Sequence, residues 1–348
     1  MPGADSNQEA LSSYVSPEAR AATKHPPRAI LAMIAEGLAQ MDRRFEELYC
    51  QTGRPSIAPE RLIQGLLLVV HSIRRGRLLL EQLEYNLLFR WFVGLSVDEP
   101  VLGHGAVRTN HNRLLVAHIV RELFETIIEL TPKVGLLSDE NFSADGRMIM
   151  AWASHESLRP KDGIEGIAGD CGRDIARYSL GEHRTNGIHA CTTDPEAKVY
   201  EKSAGTHSEL AYLGHPVSES HSSVIVAAQA TEVSGASECR TSLNTLGELS
   251  GANRCTIVAD KGYVTRTFAR KAWNRNITRH AAQNIKLRVG LAFDVCMTRD
   301  VGYARRVTAC KRIEESVSWA KGISPLRRPK MPGCGKIEFA ARLTFFTV

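Results

Sequence analysis

The sequence predicts an α/β domain built on a mixed sheet, preceded by an all-α N-terminal domain. Three observations predict it. Between about residues 27 and 130, apolar residues recur every three or four positions, the period of helices buried along one face. From Phe142 onward, short β-type runs replace that pattern, and helices and strands then alternate. The chain has 348 residues, 43% hydrophobic and 24% charged, which is enough for two ordinary domains with a sizeable core.

Residues 1–26 carry Pro, Ser, Ala and Gly with little apolar periodicity and are expected to form a flexible arm. Residues 27–135 form the helical domain. Pro59 marks a helix start, followed by Leu62, Ile63, Leu66, Leu67 and Val70. A basic turn, Ser72-Ile73-Arg74-Arg75-Gly76-Arg77, interrupts. A second helix runs through Leu80, Leu83, Leu87, Leu88 and Trp91, and Gly94 and Pro100 end the pattern. A third holds Leu115, Ile119, Leu123, Ile127 and Leu130. Three helices with a basic turn suit a nucleic-acid-binding module and equally suit a plain helical bundle.

Residues 136–330 form the α/β domain. Strand-like runs lie near 142–152, 186–193, 197–202 and 223–231. A helix is expected at about 236–250, a strand at 255–260, a helix at 265–275, a strand at 277–282 and a last helix at about 308–322. This order is compatible with a ribonuclease-H-like sheet, in which a meander of three strands precedes the alternation. Residues 331–348 are left as an atypical C-terminal tail.

Several classes are excluded. No run approaches 18 apolar residues, so no membrane span is expected. Acids at Asp5 and Glu9, with no apolar stretch beside them, do not make a secretory signal, and the cytosol is the expected location. The eight cysteines form no CxxC pair and are irregularly spaced, which suggests reduced thiols rather than zinc ligands or disulfides. The net charge is +6, but from Val301 to the end ten Lys and Arg face only three Glu. A basic C-terminal region points to a polyanionic partner; a solvated surface would look the same by charge alone.

Three acids occupy telling positions. Asp145 lies within the first strand of the α/β domain, Asp260 closes the strand Thr256-Ile257-Val258-Ala259, and Glu314 lies in the final helix. Acids on neighbouring strands and on a packed helix converge at one end of a sheet. Clustered carboxylates repel one another, and divalent cations relieve that repulsion. Mg²⁺ prefers carboxylate, phosphate and water oxygens. Two such ions ~4 Å apart stabilise both the attacking and the leaving oxygen of an in-line displacement at phosphorus. Lys321 lies seven residues beyond Glu314, on the same helix face, where an ammonium would meet phosphate. Asp139, Glu140, Asp162 and Asp194 sit in turn-like contexts and are read as structural.

The sequence resembles the DDE transposases of bacterial insertion sequences, in the group named after insertion sequence five. The resemblance rests on segments in order. They are His71–Arg74 with Glu81–Leu95, Leu137–Gly146 with Ala151-Trp152-Ala153-Ser154 and Arg159–Gly163, Thr192–Ala197, Ala259–Tyr263, and Arg312–Glu315 with Trp319 and Lys321. It implies a ribonuclease-H-like catalytic domain and places the catalytic, metal-binding acids at Asp145, Asp260 and Glu314. It further implies Mg²⁺ (or Mn²⁺) dependence, cleavage and strand transfer at terminal inverted repeats and target DNA, pairing of two ends by a homodimer, and action in the bacterial cytoplasm, at the nucleoid when bound to DNA. DNA phosphates are expected at Lys321, Arg312, Lys311, Arg74, Arg75 and Arg77. The chain departs from the family pattern at Cys310, where an arginine is usual, at Val264, where an aspartate is usual, and at its end, where the closing helix is missing. These departures suit a catalytically impaired copy that acts only as a DNA-binding protein.

Overall fold

The computed structural model describes residues 17–48, 57–73, 76–101, 103, 105, 119–130, 141–161, 185–201, 207–234, 237–250, 255–259, 266–281, 313–322 and 324–346. The chain divides into two compact units. One comprises Met1–Val69 and Ile73–Leu114; the other comprises Val70–Ser72 and Leu115–Val348.

The first unit is helical among its described residues. Helices α1 (Pro17–Arg20) and α2 (Pro26–Ala39) lie where a flexible arm and the start of the helical region were expected. The chain around α1 is fastened: Arg28 pairs with Glu18 at 2.5 Å and also holds the carbonyls of Glu18 and Ala21. Helices α3 (Asp42–Leu48) and α4 (Pro59–Leu68) follow, and α4 continues into a wider π turn at Val69–Ile73. Of the basic turn expected at 72–77, Ser72 and Ile73 lie in the π turn and Gly76 and Arg77 in a helix, while Arg74 and Arg75 lie outside the described residues. That helix, α5 (Gly76–Tyr85), carries Arg77 on an exposed position. The single helix expected through Trp91 is two. Asn86 caps α6 (Leu87–Val93), its side chain accepting from the N–H groups of Leu88 at 3.0 Å and Phe89 at 3.2 Å. Gly94, at φ 74°, closes α6 in the left-handed conformation that glycine adopts without strain.

The second unit is a mixed sheet between two helical layers. Helix α7 (Ile119–Leu130) belongs to this unit and not to the preceding helices. Strand β6 (Glu209–Glu219) is the spine. Along one edge it pairs antiparallel with β2 (Arg147–Met150) and then β1 (Asn141–Ala144); it also pairs with β5 (Lys198–Tyr200) and β7 (Ile225–Glu232). Strand β1 pairs parallel with β8 (Cys255–Ala259), and β8 pairs parallel with β9 (Ile277–Ala281). A small separate ladder joins β3 (Leu158–Pro160) to β4 (His189–Cys191).

Strand β6 was not anticipated from sequence, because Gly214-His215-Pro216 interrupts its pattern. Its interruption is structural. Strands β1 and β2 keep one register along β6, with Ala144 opposite Val217 and Arg147 opposite Gly214. The gap between them, Asp145-Gly146, faces His215-Pro216. Asp145 donates its N–H to the Pro216 carbonyl at 3.4 Å, and proline has no N–H to return. The ladder therefore opens at Asp145.

Side chains alternate along this interrupted strand. Phe142 and Ala144 enter a core with Val217, Leu243, Leu246, Ile257 and Phe268, under helices α8 (Ser237–Ser250) and α9 (Arg266–Trp273). Ile149 and Ala151 enter the other core, with Tyr212, Phe124, Ile313, Val317 and Ala320. Residues 313–322 form helix α10, and Cys334–Phe346 form α11. The last helix occupies the stretch expected as an atypical tail without a closing helix. Ile337, Ala340, Ala341 and Phe345 bury one side of it, and Glu338 pairs with Arg342 at 2.8 Å one turn on.

Candidate active site

Asp145 sits at the break in the interrupted strand, its side chain 14% exposed. Strand β8 lies beside β1 with Ala144 opposite Ala259, the residues that immediately precede Asp145 and Asp260 in sequence. Asp260 itself lies outside the described residues, as do Arg74, Arg75, Val264, Cys310, Lys311, Arg312, Asp139, Glu140 and Asp162.

Glu314 rides on α10. Ile313, Val317 and Ala320 of that helix are buried, which leaves Glu314 with its side chain 63% exposed beside β2. Arg147 joins the two acids. One nitrogen, Nη2, lies 2.6 Å from Asp145 Oδ2 and 3.4 Å from Glu314 Oε1. Two acids distant in sequence thus converge on a single positive charge. Lys321, further along α10, donates to the Met148 carbonyl at 2.7 Å, so the helix is fastened to β2 at both ends of this face.

Gly146 completes the turn, and its lack of a side chain is required by a close approach. A Cβ at this position would lie 2.4 Å from Glu238 Cδ. Glu238, in the first turn of α8, therefore packs its carboxyl group against the residue after Asp145. It also acts on its surroundings: burial, then the Glu238 charge, raise the pKa of Tyr200 and that of the Cys239 thiol. Neither Arg147 nor Glu238 was picked out by sequence reasoning. An arginine two residues past an acid and a glutamate at a helix start are both ordinary, and only the fold brings them to Asp145.

The basic region beyond α10 continues along the same strand. Arg328 donates to the Ala151 carbonyl at 3.0 Å, and Trp152, 47% exposed, carries Lys330 Nζ 4.6 Å and Arg328 Cζ 5.8 Å from its ring centroid.

Asp194 has the structural place expected of it. It is buried, accepts from Tyr212 Oη at 2.5 Å and from the Gly333 N–H at 3.2 Å, and so ties the strand core to the start of α11.

Among the described residues, one group of His, Cys, Asp and Glu has three ligand atoms within 4.8 Å of one another: His155, His207 and Glu209. It lies at the Glu209 end of β6, whereas Asp145 faces Pro216 on the order of 20 Å along the strand. Imidazole with carboxylate suits zinc and its neighbours more than magnesium.

Residues 15–113 match the family model described as Transposase domain (DUF772). This match supports a transposase, and with it a function in transposition and, in general terms, a nuclease or transesterase activity. A search of curated proteins finds no match. Among solved structures, the chain is similar to a piggyBac transposase, seen by cryo-electron microscopy in a synaptic complex with hairpin DNA. The TM-score is 0.38 and the identity 9%, over 92% of this chain and 74% of that one. No helix among the described residues is long and apolar enough to cross a membrane.

Proposed function

We propose that the chain is a DDE transposase of the insertion-sequence-five group. On this reading its second unit is a ribonuclease-H-like catalytic domain. It cuts DNA at the terminal inverted repeats of an insertion sequence and joins the freed ends to target DNA, as a homodimer in the bacterial cytoplasm, associated with the nucleoid when bound to DNA. The observation that carries the proposal is the convergence of Asp145 and Glu314 on Arg147 Nη2, beside the pairing of Ala144 with Ala259.

The donor set fits a hard divalent cation. Asp145 and Glu314 offer carboxylate oxygens, Asp260 would supply more, and the guanidinium already drawn between two acids marks a place that favours positive charge. Mg²⁺ or Mn²⁺ held by Asp145, Asp260 and Glu314 would supply Lewis-acid stabilisation of charge developing at phosphorus.

The residues of the chain do the rest. Asp145, fixed on strand backbone, orients a water for attack on a phosphodiester. The water oxygen bonds to phosphorus, the bond from phosphorus to the 3′-oxygen breaks, and the proton ends on that oxygen as a 3′-hydroxyl. In the second step this hydroxyl attacks a target phosphodiester, and the displaced target 3′-oxygen takes the proton. Lys321, Lys311 and Arg312 hold backbone phosphates near the reacting group, and Arg74, Arg75 and Arg77 hold them on the helical unit.

The test is Asp260→Ala in purified protein with DNA carrying the element's ends. Mg²⁺-dependent cleavage should vanish while DNA binding persists; undiminished cleavage would sink the assignment. A second reading is a catalytically impaired copy that binds DNA without cutting it. Arg147 favours this reading, because it neutralises the acids without any metal, and so does Cys310 in place of arginine. Strand transfer by the wild-type chain decides between the two, with Cys310→Arg as the rescue.

A further inference from the structure

The strand that carries Asp145 ends, after Ala151, in an exposed aromatic. Trp152 is 47% exposed between buried Ala151 and Ala153. A large apolar ring costs solvation free energy when left in water, and the fold does not tuck it away. Instead it fastens two cations beside it. Arg328 Nε is anchored to the Ala151 carbonyl at 3.0 Å while its guanidinium carbon lies 5.8 Å from the ring centroid. Lys330 Nζ lies 4.6 Å from the centroid. Neither cation has an acidic partner among the described residues, so the two positive charges are not neutralised there.

The order of groups along the strand is informative. Asp145, Arg147 and Glu314 stand at one end, Lys321 follows at Met148, Arg328 at Ala151, and Trp152 with Lys330 at the far end. A run of cations leads from the carboxylates to an aromatic face. A duplex presents phosphates to such cations but keeps its base faces stacked inside. A single strand presents both phosphates and bare base faces, and aromatic side chains flanked by cations bind it by stacking.

We infer that Trp152, Arg328 and Lys330 form a binding site for single-stranded DNA, which receives an unpaired nucleotide of the strand whose phosphodiester lies at Asp145 and Glu314. One base stacks on the Trp152 indole, and Arg328 and Lys330 turn from the ring to the phosphates on either side. The inference rests on the DNA-cutting function proposed above and adds to it a strand that is unpaired near the point of cleavage. It also assigns the arginine and lysine beyond α10 to distinct phosphates of that strand.

The experiment measures binding by fluorescence anisotropy at fixed salt. The probes are a labelled 15-nucleotide oligo-dT and a labelled random-sequence duplex, and the proteins are the full-length wild type, Trp152→Ala, Trp152→Phe and Lys330→Ala. Trp152→Ala should weaken oligo-dT binding by about tenfold or more and leave duplex binding within a factor of two. Trp152→Phe, which keeps a stacking face, should stay within about threefold of the wild type. Lys330→Ala should lower the slope of log affinity against log salt by about one for the single strand. Unchanged oligo-dT affinity in Trp152→Ala overturns the inference, as does an equal loss for both probes. If wild-type protein cuts and binds duplex but Trp152→Ala behaves as wild type, only the stacking site fails. If wild type binds neither probe, the proposed function fails with it.

Discussion

Asp145 and Glu314 share one guanidinium nitrogen. The nitrogen belongs to Arg147, which stands two residues beyond Asp145 on the interrupted strand, at 2.6 Å from one acid and 3.4 Å from the other. The arginine acts as an internal counter-ion for a place built from carboxylates. Replacement by a shorter, uncharged side chain, Arg147→Gln, should therefore lower stability in the absence of divalent ions by roughly 1–3 kcal/mol, since Asp145 is mostly buried and Glu314 is not. For a unit of this size that is a fall of several degrees in Tm. Added Mn²⁺ should restore more of the Tm in the variant than it adds to the wild type. Equal Mn²⁺ responses would show that the arginine and the ion do not compete.

Asp145→Asn and Glu314→Gln keep the shape of each side chain and remove its charge. Each should cut Mg²⁺-dependent cleavage by at least about a hundredfold, with DNA affinity within a factor of three. His207→Ala, at the separate imidazole–carboxylate group, should leave Mg²⁺-dependent cleavage unchanged. A loss of cleavage in His207→Ala would instead favour that group as the place of the proposed metal.

Gly146→Ala places a methyl group where the Glu238 carboxyl lies. The cost should be about 1–3 kcal/mol in denaturant unfolding, the usual range for overpacking. Pairing it with Glu238→Ala should recover most of that loss, because the two sites touch and their effects do not add. A double variant no more stable than Gly146→Ala would place the strain elsewhere.

His215 gives stability a pH dependence of defined sign. It lies on β6 opposite the Gly146 gap, with Nε2 at 2.8 Å from Thr231 Oγ1 and Nδ1 without a hydrogen-bond partner among the described residues. Burial lowers its pKa from 6.5 to about 4. As pH falls, the unfolded chain takes up this proton first and the folded chain later. Stability is therefore lost between about pH 6.5 and pH 4, at up to about 1.4 kcal/mol per pH unit from this group, and is insensitive to it above pH 7. Urea titrations over that window should show a shallower decline in His215→Gln than in wild type.

Asp194→Ala should strand the Tyr212 hydroxyl in the core and the Gly333 N–H at the start of α11, at a cost of about 2–4 kcal/mol. Adding Tyr212→Phe should recover part of it. No recovery would mean that the helix end carries the whole effect.

Much of the second unit was legible because its elements announce themselves locally. Thr256–Ala259 reads as a buried strand, and the alternation of helix and strand after residue 236 follows from composition and length alone. Strand β6 was not legible, because Gly214 and Pro216 argue against a central strand. Proline is accommodated there only because its missing donor falls opposite the gap at Asp145. The helix through Trp91 reads as continuous until the Asn86 side chain is seen to cap a new one. Asp145 and Glu314 stand out in the sequence by their place in a strand and a helix, whereas Arg147, Glu238 and Trp152 acquire meaning only from neighbours distant in sequence. Asp260 lies outside the described residues.

The start of α11 is held by two carboxylates from far upstream: Asp194 accepts from the Gly333 N–H and Glu196 from that of Cys334. This fixes an order of events during synthesis. The capping acids emerge from the ribosome well before the helix they cap, and the core behind α10 includes Ile337, Ala341 and Phe345 of that helix. That core closes only after α11 has been made, more than a hundred residues beyond Asp194, a long-range event of the kind that slows folding. Until then, the helix that presents Glu314 has only part of its packing surface. The acid pair is accordingly assembled only once α11 has been made, and a chain truncated before residue 334 would carry both carboxylates without the packing that brings them together.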